Sequence, residues 1–326
     1  MAYTQQALLE GEPILEFQPA VDLATGRLLG FEALLRWNHP TKGHISPGIL
    51  IPWAEANDHI LELNAWVLSE ACIQAQRWPV GMQIAVNLSP VQLRRGEASI
   101  AVIEALGESG MNPDRLTVEV TEDVIADESC ANDLIALSSL GVHLAVDDVG
   151  NNWTSMSSLQ RFNIDTVKID RPFVKGLESD QGLNRCIVEA LIHVSHSMSM
   201  STVAEGAETA RQVGVLREFG ADVAQGFYFA KPLPADDALD LASSERTAVF
   251  ALGSDNTESV YGTSGVQPKP LTLVISDNHR PAIKLEDDLV SDHDPAALAA
   301  AAKAAAKAVA VAVALEQQHP LTGSGV

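Results

Sequence analysis

Seven residues able to do chemistry each end, interrupt or follow a short apolar run: Glu32, Asn87, Glu119, Asp147, Asp148, Lys168 and Glu205. If those runs are strands of one sheet, five carboxylates, one amide and one ammonium meet at a common rim. Neighbouring like charges raise each other's pKa, so that many carboxylates cannot all ionise in one mouth without cations. An oxygen-only donor set selects hard ions, and one or two Mg²⁺ or Mn²⁺ are implied. A carboxylate shared by two metals suits phosphodiester hydrolysis, in which the ions activate water and stabilise the leaving oxygen. In this reading Asp147 bridges the ions and Asp148 serves the second.

The runs that must position these groups are Ile14–Phe17, Leu29–Leu35, Gln83–Val86, Leu116–Val120, Val142–Val146, Thr166–Ile169, Ser201–Ala204 and Val223–Ala224. Most are separated by enough chain for a helix. Eight strands alternating with helices, with the chemistry at the strand ends, predict an α/β fold of the TIM-like (β/α)8 barrel type. The first two runs are joined by little more than VDLATGR, too short for a helical crossover, so the first strand is expected antiparallel to the second. Helices are predicted over Leu61–Trp78, with apolar positions at Leu61, Ala65, Leu68 and Cys72, and over Leu183–Met200.

The composition shifts near residue 243, which sets a barrel domain at 1–243 and a linker with an Ala-rich low-complexity tail at 244–326. The tail, expected to be largely disordered or helical, includes Pro295–Leu315, whose Lys303 and Lys307 point to a solvated helix or tail rather than a membrane span, and a short apolar run at Leu271–Ile275. Of the net charge of -22, residues 244–326 contribute only the difference between 10 acidic and 6 basic residues, so the acidity belongs to the barrel. That balance argues against duplex nucleic acid or an anionic membrane as partner. The three cysteines, Cys72, Cys130 and Cys186, have no metal-ligand spacing and are expected to be reduced. The first residues lack both a basic start and an apolar stretch, so no leader is expected and the location is expected to be cytoplasmic.

Seven motifs in this order, GFEALLRWNHP, AVNLSP, VEVTE, AVDDVG, VKIDRPFV, VAEGAE and QGFYFAKPLP, closely resemble the EAL-domain family of cyclic di-GMP phosphodiesterases over roughly residues 8–240. The resemblance implies hydrolysis of cyclic di-GMP to pGpG by a homodimer. It implies Glu32, Asn87, Glu119 and Asp147 as ligands of a first metal, and Asp147 with Asp148 for a second. Lys168 and Glu205 would position or deprotonate the attacking water. Arg36 would grip a phosphate, while Gln18, Leu35, Asp170, Glu208 and Gln225 line the substrate or support the ligands, and Glu122 would anchor the loop after Asp148.

That loop departs from the family's DDFGTGYSSL, reading DDVGNNWTSM from Asp147 to Met156, with changes at Val149, Asn151, Asn152, Trp153, Thr154 and Met156. Reduced turnover is therefore expected, and two rivals stand beside the enzyme: a cyclic di-GMP receptor that does not hydrolyse it, and a protein-interaction scaffold. His193 and His196 lie three apart on a predicted helix, but an outer-ring helix faces away from the barrel mouth, which favours a packing or surface role. The five tryptophans form no stacking run and are read as core or interface residues.

Overall fold

The computed structural model describes residues 13–39, 43–149, 159, 161–178, 182–244 and 250. The changed loop residues Asn151, Asn152, Trp153, Thr154 and Met156, and the tail segments 271–275 and 295–315, lie outside them. Eight strands close into a barrel: β1 (Pro13–Asp22), β2 (Leu28–His39), β4 (Gln83–Asn87), β5 (Leu116–Thr121), β6 (His143–Val149), β7 (Thr166–Ile169), β8 (Ser201–Ala204) and β9 (Val223–Ala224), while β3 (Gly43–Ile45) extends the end of β2 as a hairpin. From β2 round to β9 the neighbours are parallel, and β1 runs antiparallel to both β2 and β9. The short β1–β2 turn produces that reversal, because it leaves no chain for a crossover. The barrel and its antiparallel first strand are as the sequence predicts.

Alternation along β1 sends Leu15, Phe17, Pro19 and Val21 outward into the core beneath the helices, and Glu16, Gln18 and Ala20 to the other face. Trp78 closes this outer core, with its ring 5.5 Å from that of Phe17 and 4.7 Å from that of Phe31. The predicted helix at Leu61–Trp78 forms over Ile60–Gln76, but its stripe is rotated from the expected one. Ile60, Leu63, Val67, Leu68, Ala71, Cys72 and Ala75 are buried, whereas Leu61 and Ala65 are half-buried. The second predicted helix spans Leu183–Ser197. Cys72 and Cys130 are buried free thiols and Cys186 is exposed. Among the described residues no helix is long and apolar enough to cross a membrane.

A cavity lies inside the barrel below its chemical layer. Layers in such barrels are ordinarily filled by Val, Ile and Leu. Here Ala20, Gly30, Ala85, Thr117, Ala145 and Thr166 line a cavity of about 290 Å³ that reaches the undersides of Glu32, Glu119 and Lys168. The layer above is closed by long polar side chains rather than by hydrocarbon.

The packed unit runs past residue 243. The Phe250 amide donates to the Gly26 carbonyl at 2.8 Å, and its ring meets that of Phe229 edge-on at 5.6 Å. A chain ending at 243 is therefore expected to fold but to be less stable than one ending at 250, by about 1–3 kcal/mol for the lost aromatic burial and hydrogen bond. Urea unfolding of the two truncations tests this, and equal midpoints would show that the Phe250 contact contributes nothing.

Candidate functional site

Six of the seven residues, Glu32, Asn87, Glu119, Asp147, Lys168 and Glu205, belong to six different strands or their ends. Glu32 sits mid-way along β2, Asn87 ends β4, Glu119 lies in β5, Asp147 in β6, Lys168 in β7, and Glu205 follows β8. Parallel pairing sets Asn87 beside Glu119, while Glu32 pairs with Ala85, two residues before Asn87, and Asp147 pairs with Thr121, two residues past Glu119, so the polar residues are staggered from strand to strand. Lys168 is the centre of the cluster, with only 1% of its surface exposed. Its Nζ donates to Glu119 Oε2 at 2.7 Å, contacts Glu205 Oε1, and lies 3.5 Å from Glu32 Oε2 and 3.6 Å from Asp147 Oδ2.

One ammonium thus faces four carboxylates, and the imbalance shows in their acidity. Burial, and then the charge of Glu32, push the Glu119 carboxyl well above the ordinary carboxylate range, more than Lys168 can offset. Glu205 is pushed up to about 7, first by burial and then by Asp147 and Glu32 acting against Lys168. Glu32 goes the other way: burial opposes its ionisation, but Lys168 and hydrogen bonds from the Gln225 and Asn87 side-chain amides hold it below its usual value. The Asn87 Nδ2 to Glu32 Oε1 distance is 2.8 Å. Gln225 therefore does support a rim carboxylate, donating from the loop after β9 to Glu32 Oε2. Gly226 lets that loop approach, since a Cβ there would lie 2.2 Å from the Ala207 carbonyl oxygen.

The paired aspartates occupy a β-bulge. The β6–β7 register runs Ala145 to Thr166, Val146 to Val167, then Val149 to Ile169, so two residues of β6, Asp147 and Asp148, oppose the single Lys168. A bulge breaks the strict alternation that would send consecutive side chains to opposite faces. The predicted strand ends before the aspartates, whereas the observed one carries them and continues to a buried Val149. The Asp148 side chain lies outside the described residues.

Of the remaining predicted residues, Gln18 pairs directly with Glu32 across the β1–β2 ladder and so shares its face. Arg36, four residues on from Glu32 on the same face, donates from Nε to Glu16 Oε2 at 2.8 Å and from Nη1 to the Leu35 carbonyl at 3.0 Å. Leu35 is buried among core residues, on the alternate face of β2. Asp170 stands at the N-cap of the helix Arg171–Lys175, just past β7. Glu208 accepts from Arg171 Nη2 at 2.6 Å. Glu122 is buried at the start of the helix Glu122–Ala126. Arg171 has no role in the sequence reading, although it sits inside the VKIDRPFV motif. His196 is turned from the cluster: its Nε2 pairs with Asp222 Oδ2 at 2.8 Å, and the same oxygen accepts from the Thr202 amide near the start of β8.

Among the described residues no three His, Cys, Asp or Glu side chains are gathered at metal-ligand spacing. The carboxylates are drawn onto Lys168 instead. The donor chemistry nonetheless fits a hard divalent ion: the facing donors are carboxylate and amide oxygens, and they hold more negative charge than Lys168 neutralises.

A closed barrel with one antiparallel strand and a carboxylate cluster at the strand ends defines a class, and the comparisons with known proteins supply the family. The EAL domain family model matches residues 2–232, and the chain belongs to that family. It is 38% identical over 243 residues to the uncharacterized protein y4lL of Sinorhizobium fredii, covering 74% of this chain and 29% of that protein. It is 36% identical over 241 residues to the bifunctional diguanylate cyclase/cyclic di-GMP phosphodiesterase MucR of Pseudomonas aeruginosa, covering 72% of this chain and 35% of MucR. A solved structure of the PaMucR phosphodiesterase in complex with c-di-GMP superposes with a TM-score of 0.69 at 35% identity, covering 72% of this chain and 97% of that one. The chain thus spans about a third of the length of these curated relatives.

Proposed function

We propose that this chain is a divalent-metal-dependent phosphodiesterase that hydrolyses cyclic di-GMP to pGpG, with turnover lowered by its changed β6 loop. The observation that carries the reading is the single Lys168 facing Glu32, Glu119, Asp147 and Glu205, a buried cluster whose negative charge calls for further cations. Likeness to MucR supports the substrate. Glu32, Asn87, Glu119 and Asp147 would hold one Mg²⁺ or Mn²⁺, and Asp147 with Asp148 a second. Bound there, such ions make water a better nucleophile and neutralise charge on the phosphoryl and leaving oxygens.

The chain's own residues do the rest. Glu32 is kept ionised and pointed by the amides of Gln225 and Asn87. Lys168 and Glu205, in mutual contact, orient the attacking water; the surrounding carboxylates keep Lys168 an ammonium, so Glu205 takes the proton. Arg36 offers a two-pronged donor to a phosphate once it leaves Glu16, and Gln18, Asp170 and Glu208 line the approach, whereas Leu35, packed in the core on the other face of β2, does not. Glu122 anchors the loop after Asp148. We further read the working form as a cytoplasmic homodimer.

Purified protein incubated with cyclic di-GMP is expected to yield pGpG by chromatography in Mn²⁺ or Mg²⁺, none in EDTA, and little in Ca²⁺, whose larger radius and looser coordination misplace the water. Equal rates in EDTA and Mn²⁺ would sink the metal mechanism. Nucleotide binding without product in any of these ions would favour the receptor reading, which the substituted Val149 keeps in play.

A further inference from the structure

Arg171 is the first residue of the helix after β7, yet its side chain reaches across to the loop after β8. That loop begins with Glu205, whose amide donates to the Ile169 carbonyl at 3.0 Å and whose carboxylate contacts Lys168. Next comes Gly206 at φ +68°, where a Cβ would lie 2.3 Å from Arg171 Cγ. The aliphatic stem of Arg171 therefore runs directly over bare backbone beside Glu205. Its guanidinium then meets Glu208 Oε1 at 2.6 Å, while the Glu208 amide donates to Gln212 Oε1 at 2.7 Å in the capping box of the helix Ala210–Glu218. An exposed ion pair alone contributes little. Here one side chain packs with its stem and bonds with its head onto the same four-residue loop.

We propose that Arg171 is a positioning residue for the reaction: its stem sets the backbone that aims Glu205 at Lys168, and its head fixes Glu208 at the rim of the barrel mouth. The assignment rests on the phosphodiesterase reading. The test compares Arg171→Met, which keeps a stem without the head, Arg171→Ala, which loses both, and Arg171→Lys, which keeps stem and charge. With cyclic di-GMP and Mn²⁺, Arg171→Met is expected to raise KM about tenfold with little change in kcat, and Arg171→Ala to lower kcat about tenfold as well, as interactions made in binding and in turnover are lost separately. Arg171→Lys is expected to recover most of KM, and thermal melts of all three are expected to stay close to that of the unmodified chain. A general structural defect would move the melts and not produce this split. Unchanged KM in Arg171→Met together with unchanged kcat in Arg171→Ala, in a chain that is itself active, would overturn the positioning role alone. A wild-type chain that neither binds nor cleaves cyclic di-GMP would overturn the phosphodiesterase reading and this role with it.

Discussion

Replacing Lys168 by Met in the metal-free protein is expected to cost about 3–5 kcal/mol of folding stability, because removing one partner of a buried ion cluster strands the others. Met matches the stem in length, so packing is nearly kept and the loss reports the charge. Lys168 is almost wholly buried and lies within 4 Å of Glu32, Glu119 and Asp147 as well as in contact with Glu205. The control is Glu119→Gln, expected to be neutral or stabilising in the same buffer. Glu119 has a folded pKa raised by burial and by Glu32, so its contribution is nil at acid pH and turns unfavourable as pH rises through the ordinary carboxylate range. Deleting that charge relieves the cluster. Saturating Mn²⁺ is expected to restore part of the loss in Lys168→Met, by about 2.7 kcal/mol at a hundred times the dissociation constant. Urea melts in EDTA and in Mn²⁺ check all three statements. A Lys168→Met protein as stable in EDTA as the unmodified one would mean that the carboxylates are already neutral without the lysine, and the charge argument for metal would fall.

The strand-end residues were legible because a parallel barrel converts sequence position into height. Asn87 and Glu119 are far apart in sequence, yet ladder pairing places them side by side; Asn87 follows an apolar run and Glu119 interrupts one. The antiparallel first strand was equally readable, since loop length alone forbids the crossover. What periodicity could not supply is irregularity. Regular pairing gives Lys168 one neighbour in β6; the one-residue offset between β6 and β7 sets the backbone of both Asp147 and Asp148 opposite it, and no residue-type signal marks an offset. The Arg171 bridge to Glu208 joins residues 37 apart through a glycine whose importance is that it has no side chain. Phe250 lies past the change of composition near residue 243, yet it contacts Gly26 and Phe229, partners that no local pattern marks. The cavity below the site is bordered by Ala20, Ala85, Thr117, Ala145 and Thr166, small residues that hydrophobic counting reads as parts of ordinary strands.

Installing Phe, Thr, Gly, Tyr, Ser and Leu in place of Val149, Asn151, Asn152, Trp153, Thr154 and Met156 is expected to raise kcat by up to about 100-fold, the cost that a displacement near 1 Å imposes on a catalytic group. KM is expected to change far less. Glu32 and Glu119 stand within regular strands, Asn87 at the end of one and Arg36 on β2, so a first metal and one phosphate would be held whatever follows Asp148. The second metal would depend on Asp148, which sits in the bulge just before the residue that returns the chain to the ladder. That residue is Val149, paired with Ile169 and buried, where a larger aromatic ring would be anchored more firmly. Binding should therefore outlast turnover in the present sequence. Steady-state kinetics of the replaced loop, alongside Asp148→Ala in the unmodified chain, decide the matter. If the replacement leaves kcat unchanged while Asp148→Ala abolishes a robust rate, the existing loop already seats the second metal, and the argument for lowered turnover fails along with the basis of the receptor alternative.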